Sequence, residues 1–353
     1  MKSLILTLFF LSSGFANIFD EVCKKVDEDQ YGYRFKNLRK FSRIIALCCG
    51  DRSERNDCLV QYKREVVVIF FDEFIKETQV FYRNATVRTA DNFDAGRDAR
   101  VIHKAISGWG TNENAIINVI TKRTSTQRLR IAGEYRRKYK EWMSADLNAD
   151  LSDHFCQLIL LLINEPNEID ARLAHKAMAG SGTNERSLVD LIVGSTRNQL
   201  IAMKAAYSKI YNYQRLQDHL NDEISISALR KGLQHILLQT SGTTLLSSQD
   251  KEAMLKFFSK ASKHDKNHMM ELINALFDIA YFGRPYFYAR RFRSVMAGSG
   301  TDDCGLLALV ASRSERDLGH IKNSYQELYG HSLYSEISSE TSGFFRKTLL
   351  KLL

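Results

Sequence analysis

The chain has 353 residues, which suits several domains or a short repeat array better than one ordinary domain. Its composition, with 44% hydrophobic and 26% charged residues, is that of a globular protein, and having only two prolines favours an all-helical fold. The net charge of +9 indicates an anionic partner but does not choose among phospholipid, nucleic acid and acidic glycan.

The segment 1–16 predicts a cleaved secretory signal peptide. Lys2 precedes the apolar run 4–11, and the small residues Gly14 and Ala16 lie three and one places before the expected cleavage point. The alternatives are an uncleaved anchor and a buried helix. An apolar run of about ten residues is too short to span a bilayer, and no later run is long and uncharged enough. Asn84 begins an Asn-Ala-Thr glycosylation triplet, which fits secretion.

Residues 17–91 form an extension that we expect to be helical. It holds four of the six cysteines, and one or two disulfides are expected there in an oxidising compartment, with the pairing left open. These are Cys23, Cys48, Cys49 and Cys58. The remaining two, Cys156 and Cys304, fall in helical patterns and are predicted to be buried thiols rather than nucleophiles.

A short phrase with two glycines around one residue occurs three times after a predicted helix. The copies are Ile106-Ser107-Gly108-Trp109-Gly110-Thr111, Met178-Ala179-Gly180-Ser181-Gly182-Thr183 and Met296-Ala297-Gly298-Ser299-Gly300-Thr301. The final threonine of each phrase is expected to cap the next helix. The interval from the first phrase to the second sets the length of one unit, and the interval from the second to the third is shorter than two such units. A shortened unit is therefore expected between them, at residues 240–284.

The glycines let the loop turn sharply and bring backbone carbonyls toward one point, where a hard cation such as Ca²⁺ can bind. An acid follows the second glycine at the same sequence separation in each full unit: Asp150, Asp222 and Glu340. The alternative is that the glycines only end helices and the acids only cap them. Three carbonyls and one bidentate carboxylate would leave calcium positions open for water or a lipid phosphate, so the ion would bridge protein and headgroup.

Several side chains near the phrases bear on membrane contact. Trp109, in the middle of the first loop, is predicted to dip into the interfacial layer, the alternative being a side chain folded back over the loop. Lys104, Lys176 and Arg293 are expected either to attract an anionic leaflet or simply to be solvated.

The repeated loop followed by an acid resembles the annexin repeat with its calcium site, over residues 92–353. Ser338-Ser339-Glu340-Thr341-Ser342-Gly343 also resembles the family's acid-Thr-Ser-Gly segment, and Pro285 falls where the family has a linker proline. The resemblance implies an all-α, right-handed superhelix of four five-helix repeats at residues 92–164, 165–239, 240–284 and 285–353, the third truncated and without its loop.

The resemblance also implies the calcium ligands. They are the carbonyls of Ile106, Gly108 and Gly110 with Asp150, those of Met178, Gly180 and Gly182 with Asp222, and those of Met296, Gly298 and Gly300 with Glu340. Asp222 departs from the family pattern because Glu223-Ile224-Ser225 follows it. The signal peptide and the long extension are further departures.

These features predict a secreted protein that binds anionic phospholipids such as phosphatidylserine in a calcium-dependent way, lies peripherally on membranes and is not an enzyme. The alternative is a secreted module that binds a host or receptor protein, with lipid binding secondary. No nucleic acid is expected, because the basic residues are dispersed and no recognition motif occurs. A metalloenzyme is disfavoured because His264 and His268 lack a glutamate after the first histidine and a third ligand.

Overall fold

A computed structural model describes residues 83–180, 182–238 and 271–353, except 273, 277, 280, 281 and 299. Everything regular in this part of the chain is helical. The predicted signal peptide, the extension up to residue 82 with its four cysteines, residues 239–270 of the shortened unit and the histidine pair at 264 and 268 lie outside the described residues.

Within the described residues, fifteen helices with defined ends form three groups of five, which we name unit 1, unit 2 and unit 4. Unit 1 contains α1 (Ala95–Ile106), α2 (Glu113–Ile120), α3 (Ser125–Tyr139), α4 (Met143–Asp150) and α5 (Asp153–Leu162). Unit 2 contains α6 (Pro166–Met178), α7 (Glu185–Gly194), α8 (Arg197–Ile210), α9 (Leu216–Glu223) and α10 (Ser227–Leu238). Unit 4 contains α11 (Arg284–Met296), α12 (Asp303–Arg313), α13 (Leu318–Tyr329), α14 (Leu333–Glu340) and α15 (Gly343–Leu352).

The helix ends follow from local chemistry. Pro166 and Pro285 lie in the first turns of α6 and α11, where a missing N–H costs nothing. The second helix of each unit is capped by the residue after the repeated threonine, so the prediction of threonine caps is wrong. The capping side chains are those of Asn112, Asn184 and Asp302. An Asn or Asp oxygen reaches the third backbone N–H readily, and the threonine is thereby released for another contact.

Each unit buries one tyrosine of its third helix completely: Tyr135, Tyr207 and Tyr325. The Tyr135 hydroxyl donates to the Asp146 carboxylate at 2.6 Å, and the Tyr207 hydroxyl is hydrogen-bonded to His219. These bonds join the third helix of units 1 and 2 to the fourth, whose last turn carries the candidate metal-binding acid. The hydroxyls therefore help to fix the direction of that helix.

Units 1 and 2 both pack on unit 4. Helix α5 lies against α12 and α15, while α6 contacts α12 and α7 contacts α11. Buried ion pairs cross these boundaries. Arg128 donates to Glu315 at 2.8 Å and Arg316 donates to both oxygens of Asp170 at 3.1 and 2.7 Å. Burial lowers the pKa of Arg128 to about 10, against the opposing effect of Glu315. Such pairs hold the units in one relative position, because separating them would leave a buried charge alone.

The described chain begins against unit 4. The backbone of Asn84 donates to the Arg316 carbonyl at 3.0 Å and accepts from Gly319 at 2.9 Å. The Thr86 hydroxyl donates to the Ser314 carbonyl at 3.2 Å. The predicted glycosylation triplet is thus folded onto the turn before α13 rather than standing free, and Asn84 is only partly exposed.

Candidate calcium loops

The three repeated phrases occupy the same structural position, between the first and second helices of their units. The same backbone hydrogen bond closes each loop. It runs from Asn112 to Ala105 in unit 1, at 2.8 Å, and at 2.7 Å from Asn184 to Ala177 in unit 2 and from Asp302 to Val295 in unit 4. A loop closed in this way keeps the glycines between its two ends in a narrow turn.

The glycines provide the backbone freedom, but unit 1 uses them differently from units 2 and 4. The first glycine of the pair has a positive φ in unit 2 (Gly180, 112°) and unit 4 (Gly298, 117°), whereas in unit 1 it is the second, Gly110, at 81°. An L side chain would be strained at all three positions. The carbonyls of loop 1 therefore follow a different path around Trp109 from those of the other two loops.

The fourth helix brings an acid to the loop in units 1 and 4. Helix α4 ends at Asp150, whose Oδ2 accepts a hydrogen bond from the Thr111 hydroxyl at 3.1 Å. Helix α14 ends at Glu340, whose Oε2 accepts from the Thr301 hydroxyl at 2.9 Å. Thr111 and Thr301, which do not cap the next helix, thus hold the predicted acids Asp150 and Glu340 beside the glycine loops.

In unit 2 the equivalent acid is Glu223 rather than the predicted Asp222. Helix α9 ends at Glu223, and the Thr183 hydroxyl donates to the Glu223 carbonyl at 3.1 Å. The reason is one additional residue between the loop and the end of α9. The turn before α9 contains residues 211–215, two more than the turns 140–142 and 330–332 of units 1 and 4, while α8 is one residue shorter than α3. Asn212 and Tyr213 there both have positive φ.

A sequence signal for this shift exists. Aligning Glu223-Ile224-Ser225 with Asp150-Leu151-Ser152 matches the acid, the apolar residue and the serine, whereas a fixed count from the glycine misses the insertion. The Glu223 carboxylate lies on the side of His219, with Oε1 and Nε2 3.8 Å apart. Unlike the carboxylates of units 1 and 4, the Glu223 carboxylate accepts no hydrogen bond from its loop threonine, whose hydroxyl donates to the Glu223 backbone carbonyl instead.

The available donors suit a weakly held hard cation better than a side-chain metal centre. No group of three or more His, Cys, Asp or Glu side chains within the described residues can hold a metal ion. The loops of units 1 and 4 are each offered one carboxylate. All three loops offer glycine carbonyls that accept no hydrogen bond in the described part, namely those of Gly108, Gly110, Gly180, Gly182, Gly298 and Gly300. Calcium accepts such all-oxygen, incomplete ligand sets, with water completing them.

The acids of units 1 and 4 border one groove of about 560 Å³, between the ends of α4 and α14 and the starts of α5 and α15. Trp109 is fully exposed at the tip of loop 1, so it does not fold back over the loop. Lys104 is also exposed. Arg293 instead pairs with Glu336 and lies over the Tyr329 ring, so it is neither free nor merely solvated.

The two described cysteines differ from each other. Cys156 is buried, as predicted. Cys304 is exposed, so the prediction of a buried thiol is wrong at this position. It is the second residue of α12, and the first turn of that helix faces outward beside the unit 4 loop. Lys176 and His154 lie within 3.8 Å of its sulfur.

Three five-helix units, each with a glycine loop and an acid ending its fourth helix, define a helical repeat protein with oxygen-lined loops. The annexin family profile matches residues 97–162, 169–232 and 287–352. Annexin A3 of Homo sapiens is 31% identical over 311 residues, covering 76% of this chain and 95% of the relative. Annexin A13 of Schistosoma japonicum is 28% identical, over 76% of this chain and 94% of the relative.

Solved structures agree with this family. A structure of annexin III is 30% identical, with a TM-score of 0.66, covering 77% of this chain and 97% of its own. A structure of chicken annexin V is 25% identical, with a TM-score of 0.67, and the match covers 77% of this chain and 99% of that structure. The chain belongs to the annexin family, as the repeated loops predicted. Across the described residues, none of the helices combines the length and apolar character needed to cross a membrane.

Proposed function

We propose that this protein binds anionic phospholipid, such as phosphatidylserine, in a calcium-dependent manner through the loops of units 1 and 4, with unit 2 contributing through Glu223. The observation that carries the proposal is the pair of threonine-to-acid hydrogen bonds at Asp150 and Glu340. Annexins generally bind phospholipid in this way and are generally not enzymes. A neighbouring fold, annexin (Sm)1, has been solved calcium-bound.

Each unit would supply its own calcium ligands. The carbonyls of Ile106, Gly108 and Gly110 with Asp150 would hold the ion in unit 1, and those of Met296, Gly298 and Gly300 with Glu340 in unit 4. In unit 2 the carbonyls of Met178, Gly180 and Gly182 would act with Glu223. Calcium, when bound, supplies a positive centre that a lipid phosphate can join. One carboxylate per site implies weak affinity, so membrane and ion bind together.

Trp109 would add an apolar contact. Its indole is fully exposed on the loop that carries the unit 1 site, and indole is favoured at the membrane interface. Because the chain has only two tryptophans, its fluorescence can be isolated in a Trp142→Phe background. A blue shift of the remaining emission with phosphatidylserine vesicles and calcium is expected. An unchanged spectrum for vesicle-bound protein would contradict insertion.

Secretion belongs to the same proposal. It is supported by the signal-like segment 1–16. A host or receptor protein partner is proposed only as the alternative, carried by the extension of residues 17–91. Removal of the extension should then abolish partner binding and leave lipid binding intact.

The direct test is cosedimentation of the chain with phosphatidylserine vesicles at millimolar calcium and with excess chelator. The variant Asp150→Asn with Glu340→Gln and Glu223→Gln should lose most of the calcium-dependent pelleting. Asp222→Asn is the matched control, since it removes one exposed carboxylate next to Glu223, and it should pellet normally. Pelleting that survives both chelator and the triple change, or a failure to pellet at all, would refute the proposal.

A further inference from the structure

A cluster of four reactive or charged side chains lies where the three units meet, apart from the proposed calcium ligands. Cys304 and Asp303 begin α12 of unit 4, His154 is the second residue of α5 in unit 1, and Lys176 is near the end of α6 in unit 2. Because they come from three separate units, these groups are brought together only in the folded chain.

The arrangement places a base and a cation on one sulfur. His154 Nε2 is 3.8 Å from the Cys304 Sγ, and the opposite nitrogen, Nδ1, is 3.4 Å from Asp303 Oδ2. The Lys176 ammonium is 3.7 Å from the same sulfur. It is held there by a 3.0 Å hydrogen bond to the Gln157 side chain. A nucleophile, a base and a carboxylate beside the base are the parts of an activated thiol.

The thiol is accessible. Cys304 is exposed, and His154 and Asp303 keep 38% and 34% of their side-chain surface exposed. Cys304 and Lys176 also border a cavity of about 190 Å³ between units 2 and 4, whose wall includes Arg186. A small adduct on the sulfur therefore has space beside it, next to Lys176 and Arg186. The carboxylates of Asp190 and Asp302 also line the cavity, but Asp190 is paired with Arg291 and Asp302 caps α12.

We propose that Cys304 is a nucleophilic thiol that forms a mixed disulfide with anionic, low-molecular-weight disulfides. His154 acts as the proton acceptor, and the Asp303 carboxylate, at ion-pair distance from its other ring nitrogen, stabilises the protonated imidazole. Lys176 stabilises the negative charge on sulfur during attack, and together with Arg186 it attracts the carboxylates of the reagent. None of the four clustered residues is a proposed calcium ligand, but His154 and Asp303 line the groove that Asp150 and Glu340 border, so the exchange is measured with calcium chelated and without lipid.

The exchange balances without another reactant. The Cys304 thiol gives its proton to His154 Nε2, and its sulfur attacks one sulfur of the disulfide. The disulfide bond of the reagent breaks as the new S–S bond to Cys304 forms. The departing thiolate takes the proton from His154 and leaves as a free thiol. Cys304 is oxidised, and half of the reagent is reduced.

The test uses the full chain with oxidised glutathione, which is anionic, and with cystamine, which is cationic, at equal concentration. Mass spectrometry of the peptide that contains Cys304 follows the adduct at this residue alone, so the other cysteines do not interfere. We expect glutathione to be favoured over cystamine. His154→Gln should slow glutathione addition about tenfold, because proton transfer to the histidine is lost.

Lys176→Gln should slow the addition of glutathione about fivefold, and less at high salt, because one nearby charge is removed. Lys104→Gln is its matched control, because Lys104 occupies the equivalent place on α1, one full repeat earlier in the chain. It should react as the native chain does, and thermal melts should show equal folding for both variants. Equal slowing by both lysine changes, a rate unaffected by His154→Gln, or a preference for cystamine would overturn the proposal.

Discussion

The ion pair between Asp170 and Arg316 should be one of the most sensitive points of the fold. It joins α6 of unit 2 to the turn before α13 of unit 4 through two hydrogen bonds of 3.1 and 2.7 Å, and the side chains of Asp170 and Arg316 are only 1% and 9% exposed. Asp170→Asn preserves the shape but leaves a buried guanidinium without its counter-charge. Removing one partner of a buried pair costs about 3–5 kcal/mol.

For a chain of this size, each kcal/mol lowers the melting temperature by about 2–4 °C, so Asp170→Asn should lower it by at least about 6 °C. Circular dichroism in the far ultraviolet measures this, because it reports helix content. The control is Asp218→Asn. Its pair with Arg215 has the same chemistry at 2.6 Å but is 49% and 66% exposed, so a change of about 2 °C or less is expected.

A double variant separates charge from packing at this position. Asp170→Leu with Arg316→Met removes both charges, and most of the lost stability should return, because neither side chain then needs a partner. If Asp170→Asn melts within about 2 °C of Asp218→Asn, the burial of an unpaired guanidinium does not destabilise the fold as expected. A double variant less stable than Asp170→Asn alone would contradict the same expectation.

Three further predictions concern the loops and their surroundings. Glu223→Gln should weaken calcium binding in unit 2 at least about tenfold by calorimetric titration, whereas Asp222→Asn should leave it nearly unchanged. Thr111→Val should lower the calcium affinity of unit 1 about fivefold, because Asp150 loses the hydrogen bond from the threonine hydroxyl. The equivalent change in unit 2, Thr183→Val, should have a smaller effect, because the Thr183 hydroxyl donates to a backbone carbonyl and not to the carboxylate. In the folded chain the pKa of His175 is lowered from its ordinary value of about 6.5, mainly by burial and also by the neighbouring His219. Below that pH the unfolded chain binds the proton more readily than the folded chain, so the free energy of unfolding falls. Urea midpoints at pH 7.5 and 5.5 should therefore differ less for His175→Phe than for the native chain, and equal differences would contradict this.

Local sequence determined the class of protein and most of the calcium loops. The repeated glycine pair and its threonine recur in each full unit, and a turn needs glycine where φ is positive, so Gly110, Gly180 and Gly298 were predictable as loop residues. Asp150 and Glu340 followed from counting, because the turn before the fourth helix has the same length in both units. The same count gives Asp222 in unit 2, where one inserted residue moves the end of the fourth helix to Glu223.

Contacts between distant segments were decided only by the tertiary structure. Asn112 caps α2 in place of the predicted Thr111, because the Thr111 hydroxyl donates to the Asp150 carboxylate at the end of α4. Arg293 was expected either to attract an anionic leaflet or to be solvated, but it pairs with Glu336. Cys304 looked buried because a helical pattern does not reveal which helix turn faces outward, and its neighbours come from two other units. Spacing along the chain fixes what lies within one helix or loop, whereas the packing of whole units determines which side chains meet across them.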